Sequence, residues 1–174
     1  MDELPPQPQY TEQASGQEQE PSIEDFYLII DEKLKVEAGE LGRYQGYVDA
    51  GVQVDAGRLA RQLSKVEFLQ TARERLDRGD FGSAGIVVSR QLETDRSLFS
   101  YWPDSVLNTP LVDADGKNLL HGVTPAGELK RLERMQRYAV KKYIARMPDE
   151  HRKYAERAAQ QAFGFRPDED TGQV

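Results

Sequence analysis

DAGRLARQLSKVEFLQTARERLDR, Asp55 to Arg78, is the stretch whose reading decides the fold class. Leu59, Leu63, Val66, Leu69, Ala72 and Leu76 follow one another in steps of three or four. That spacing puts them on a single stripe of an α-helix, with Arg58, Arg61, Lys65, Arg73 and Arg75 mostly off it. Asp55 stands where a side-chain oxygen would cap the helix. Just upstream, Val-Asp-Ala-Gly occurs at 48–51 and again at 54–57. A period of six is too short for a folded repeat, so the pattern reads as one element ending and the next being capped.

Downstream the helix meets a turn at Gly79-Asp80. Residues 72–92, ARERLDRGDFGSAGIVVSRQL, resemble the junction of a tetratricopeptide-type helical hairpin, through Ala72, Leu76, Gly79-Asp80-Phe81 and Ala84. The resemblance covers about 20 residues and implies two antiparallel helices. No second copy follows at the period of about 34 that a repeat array requires, so a single hairpin is expected. On the amino-terminal side, PSIEDFYLIIDEKLKVEAG places Ile23, Phe26, Tyr27, Ile30 and Leu34 at helical spacing. Ser22 and Asp25 form an approximate capping box, and Gly39 is the expected stop. Turns are expected between Gly39 and Gly51.

Beyond the hairpin, SLFSYWPDSVLNTPLV carries the largest aromatic cluster, Phe99, Tyr101 and Trp102. Trp102 reads as a core plug beside a turn, or, with Tyr101, as an exposed anchor for a protein partner. LVDADGKNLLHGV predicts a short β-hairpin turning at Asp115-Gly116, with Leu111, Val112, Leu119 and Leu120 flanking it. Thr124-Pro125 starts a helix expected to reach about Arg146, and Pro148 opens another that Gly164 ends. The expected fold is therefore mainly α: a small helical domain over 22–165 with one short β-hairpin. A disordered acidic, Pro- and Gln-rich tail is expected over 1–21, and a flexible tail over 166–174.

The charge is unevenly spread. The chain of 174 residues has net charge −7, yet residues 126–157 hold ten basic and five acidic groups, while residues 1–25 hold seven acidic groups and no basic one. On the helix from Pro125, the residues Leu129, Leu132, Gln136, Ala139, Tyr143 and Met147 fall within a sector of about 80°. They form the expected core stripe. Lys130, Arg134, Arg137 and Lys141 fall on the opposite side, and Arg131 and Lys142 lie on one flank.

Catalytic signals are thin. The chain has no cysteine, which removes thiolate nucleophiles, disulfides and cysteine zinc sites. His121 and His151 lie apart with no sequence-near partner. Asp113, Asp115 and Asn118 alternate like calcium ligands, but Thr124 stands where the closing glutamate belongs. No phosphate loop or nucleophile elbow is present, so no catalytic residue, metal or cofactor is assigned. The acidic amino terminus does not read as a signal peptide, and no apolar run suits a membrane helix, which points to the cytoplasm. The expected function is a non-enzymatic protein-interaction or adaptor role. Its docking surface is the basic helix face, Lys130, Arg131, Arg134, Arg137, Lys141 and Lys142, and its partner an acidic protein segment or the chain's own amino-terminal tail. The alternative is contact with a nucleic-acid backbone through the same face. An enzyme of unrecognised class comes third, and a cleft holding His121 beside a carboxylate would favour it.

Overall fold

A computed structural model describes residues 20–164, and the two expected tails lie almost wholly outside that range. The described chain forms six helices: α1 Ile23–Asp49, α2 Ala56–Asp77, α3 Gly82–Phe99, α4 Asp104–Leu107, α5 Pro125–Ala145 and α6 Asp149–Phe163. Their starts follow local chemistry. The Asp25 carboxylate accepts the Ser22 backbone N–H at 2.9 Å, Asp55 accepts that of Arg58 at 2.7 Å, and Thr124 Oγ1 accepts that of Gly127 at 3.0 Å. Each satisfies a donor that the first helical turn leaves unpaired.

α1 runs past its expected stop. Gly39, Gly42 and Gly46 all remain helical, and nothing lies within contact distance of the place a side chain would take. These glycines weaken the helix but do not end it, and Gln45 donates to Asp49 at 3.0 Å to support the last turn. The chain reverses instead at Gly51, where φ is +75°.

α3 lies at the centre. It packs against α1, α2 and α5, and α6 packs on α5. The α2–α3 hairpin forms as expected, with Ala72, Leu76, Phe81 and Ala84 all buried and Gly79 at φ +74°. Phe26 of α1 meets Phe81 edge-on with ring centres 5.2 Å apart, and Phe81 meets Tyr138 of α5 at 5.5 Å. Such edge-to-face contacts add to the gain from burying the rings. Where α3 crosses α5, a Cβ on Gly85 would sit 3.1 Å from that of Ala139, so only small residues fit there.

Two helix faces differ from expectation. Leu63 is 45% exposed and its neighbour Gln62 is buried instead. The Gln62 amide donates to the Glu37 carbonyl at 2.9 Å and to the Glu37 carboxylate at 2.6 Å, so its polar group is satisfied inside. On α5 the buried side is turned toward Glu128 and Met135 and leaves Tyr143 exposed, although Leu132 and Ala139 are buried as the spacing predicts. Gln136, from the expected stripe, donates to Ser89 Oγ at 2.9 Å.

The expected β-hairpin does not form. Among the described residues there is no strand, only one isolated antiparallel bridge between Val112 and Asn118. The turn itself exists, with Gly116 at φ +77°. However, the Asp113 carboxylate takes the N–H groups of Asp115 and Lys117, at 2.9 Å each, and Leu111 N–H goes to Val123 O rather than across the turn. Val112 and Leu119 are both exposed, so no apolar face rewards a ladder. The segment is a loop pinned to α5: Gly122 N–H donates to the buried Glu128 carboxylate at 2.6 Å.

That anchorage needs Gly122, because a Cβ there would come within 2.2 Å of the Glu128 backbone nitrogen. Gly122→Ala is expected to destabilise the fold by about 1–3 kcal/mol, the usual cost of overpacking a filled site. Urea denaturation followed by circular dichroism measures it, and an unchanged midpoint would mean that the contact is not required.

Candidate functional site

α5 sets out the basic residues that the spacing singles out, but it does not treat them alike. Lys130 and Arg137 are exposed, and Arg134 and Lys141 are half-buried. Arg131 turns inward: its side chain is 13% exposed, bonds Glu128 at 3.0 Å and approaches Asp25 at 3.8 Å. It is thereby committed to holding α1 and α5 together, since removing one partner of a buried pair strands the other. Lys142 lies over the Tyr138 ring with its ammonium 5.2 Å from the centre.

The acids of α5 matter as much as its cations. The helix contains two, Glu128 and Glu133. Glu128 is buried against Gly122 and Arg131, and Glu133 accepts from Arg96 of α3 at 2.8 Å. Both carboxylates are thus engaged away from Lys130, Arg134 and Lys141. Among the described residues, those three cations have no carboxylate within ion-pair distance. At the far end of α3, Tyr101 is 94% exposed, and Trp102 is half-buried with its ring centre 4.9 Å from that of Phe99.

One feature carries little signal in the sequence. His121, in the loop before α5, lies 2.9 Å from a carboxylate oxygen of Glu32 on α1. The pair borders a polar cleft of about 360 Å³ that also includes Gln91, Asp95, Glu128 and Arg131. The sequence separation of 89 between His121 and Glu32 hides the pairing from any local motif. His121 and Glu32 side chains are 44% and 55% exposed, so they meet at the lip, where they tie the loop to α1. Deeper in, Asp95 is 7% exposed. Burial pushes its pKa up and the Glu128 charge adds to this, while the hydrogen bond from Gln91, 2.7 Å long, and the charge of Lys33 oppose it. The cleft therefore combines an imidazole–carboxylate pair with an acid that holds its proton more tightly than usual. Among the described residues, no three His, Asp or Glu side chains gather as metal ligands. No helix among them is long and apolar enough to cross a membrane.

A raised Asp95 pKa means that the native state binds this proton more tightly than the unfolded chain does. Stability therefore falls as pH rises through the interval between the unfolded and folded values. Asp95→Asn keeps an acceptor for Gln91 and removes the charge. The variant is expected to melt above the wild type at pH 7, with the gap closing as pH falls below the unfolded aspartate value; a lower melting temperature at pH 7 would contradict the assignment. No family model, no curated protein and no solved structure matches this chain.

Proposed function

We propose that the protein is a non-enzymatic interaction module of the cytoplasm that docks an acidic protein segment on the outer side of α5. The observation that carries this reading is the disposition of charge on that helix. Glu128 and Glu133 are drawn inward and across to Arg96, leaving Lys130, Arg134 and Lys141 without a carboxylate among the described residues. Lys130 and Arg134, four apart on one side of the helix, repel each other in solvent, so such a side favours an anionic partner. Arg137 extends the same side. The chain's own amino-terminal tail is one acidic segment within reach of the test below.

A nucleic-acid backbone is the competing polyanion. α5 contains no Asn, and its one Gln, Gln136, is bonded to Ser89, so the helix presents no amide for reading a base edge. The net charge of −7 also repels a long polyanion. An enzyme reading has one observation in its favour, the His121–Glu32 pair beside the Asp95 cleft. The exposure of that pair fits a tether better than an enclosed acid–base couple.

Arg134→Glu combined with Lys141→Glu tests the docking surface. Capture from native lysate, with and without nuclease, is expected to lose its partners in the double variant and to be insensitive to nuclease. Loss of capture on nuclease treatment alone, with affinity falling steeply with salt for any oligonucleotide sequence, would transfer the surface to nucleic acid. For the tail, deletion of residues 1–19 is expected to shift the amide resonances of α5 if the two interact; unchanged resonances would remove the tail as an occupant.

A further inference from the structure

On a side of the molecule that α5 does not line, α1, α2 and α3 enclose an open groove of about 640 Å³. Its floor is apolar, made by half-buried Phe68 with Leu69 and Val87 buried beside it. Its rim is cationic, with Lys33 from α1, Arg61 and Lys65 from α2, and Arg90 from α3. Glu37 is the one acid lining it, and Glu37 is already engaged by Gln62 at 2.6 Å and Lys65 at 3.7 Å. Among the described residues, Lys33, Arg61 and Arg90 have no carboxylate within ion-pair distance. The Arg90 guanidinium lies over the Phe68 ring, 5.2 Å from its centre, so a cation is stacked on the apolar floor itself. Along α2 the lining runs from Ala60 to Leu69, a rise of about 13 Å, which is between two and three helical turns.

We propose that this groove binds an acidic, amphipathic helical segment of a partner protein. Apolar residues of the segment pack on Ala60 and on the accessible part of Phe68, and its carboxylates meet Lys33, Arg61 and Arg90. The proposal rests on the reading of an acidic protein partner and supplies a second, separate surface for it. Charge complementarity selects the occupant. Three cations on three helices, none within ion-pair distance of a carboxylate among the described residues, suit several carboxylates, whereas an amphiphile with a single headgroup would meet one or two. A nucleic-acid backbone would match the cations but leave the apolar floor wet. A helix of between two and three turns carrying spaced apolar anchors matches the length of the groove, as in other helix-in-groove recognition.

The test uses the full chain and a fluorescent synthetic peptide of about 16 residues, with Leu along one helical face and Glu elsewhere. Fluorescence anisotropy reads affinity. Arg61→Glu with Arg90→Glu is expected to weaken binding at least about tenfold. Ala60→Trp fills the groove from an exposed position without changing charge, and is expected to weaken binding about as much; circular dichroism checks that both variants are folded. A scrambled peptide of the same composition is expected to bind at least about tenfold more weakly, because its apolar side chains no longer share a face. Arg134→Glu with Lys141→Glu measures how much of the same peptide binds at α5; a loss as large as that of the groove variants would place the peptide on α5 and overturn the groove. Equal binding of the scrambled peptide, or wild-type affinity in the Ala60→Trp variant, would overturn the proposal and leave the α5 reading standing. Loss of lysate partners in the groove variants but not in the α5 variant would retain the groove and remove the α5 surface. A severalfold gain in affinity on deleting residues 1–19 would assign the groove to the chain's own tail and overturn the external partner.

Discussion

The close crossing of α3 over α5 is the constraint on which the rest of the molecule depends. At Gly85 and Ala139 the two helices leave room for little more than hydrogen and methyl. Ser83, Ala84, Val87, Val88 and Leu92 of α3 are buried around that crossing, so nearly half of the helix circumference is covered. Larger residues at the crossing would push the helices apart and open contacts throughout the core, because protein interiors are close-packed and transmit such strain. With α3 fixed between α5 on one side and α1 and α2 on others, the aromatic set Phe26, Phe81 and Tyr138 closes over the amino-terminal end of α3.

Polar chemistry at the α1–α5 junction follows from that packing. α5 brings Glu128 into the interior, where its charge is compensated by Arg131 and its oxygen accepts the Gly122 N–H. One carboxylate therefore does two things: it holds the loop before α5 and withdraws Arg131 from the surface. His121, two residues after Leu119 and one before Gly122, is carried by the same anchorage to Glu32. The result is a cleft whose polar residues come from α1, α3, α5 and the loop, with Asp95 and Glu128 its two buried acids.

The two cationic surfaces arise differently. On α5, cations stand out because the helix's own acids are drawn elsewhere by Gly122, Arg131 and Arg96. In the groove, cations from three helices converge above half-buried Phe68, with Leu69 and Val87 buried in its floor. Periodicity makes the first legible, because positions on one helix are related by a fixed angle. The second is invisible to it, because Lys33, Arg61 and Arg90 share no element.

The sequence by itself determined most of the helices. Asp55, Thr124-Pro125 and Gly164 mark ends by chemistry that acts within four residues, and the apolar steps of α2 name Val66, Leu69, Ala72 and Leu76 as core. It misplaced what depends on partners. Gly39 does not stop α1, since a glycine lowers helix stability without forbidding the helix. Gln62 displaces Leu63 from the core because Glu37, on another helix, satisfies its amide. The β-hairpin stops at a single bridge: Asp113 N–H and Leu119 N–H bond across the turn to Lys117 O and Leu111 O, but the Lys117 and Leu111 N–H groups go to the Asp113 carboxylate and to Val123 O. Which cations are left unpaired, where His121 finds a carboxylate and how three helices frame a groove were decided only by tertiary structure, because each joins residues far apart in the chain.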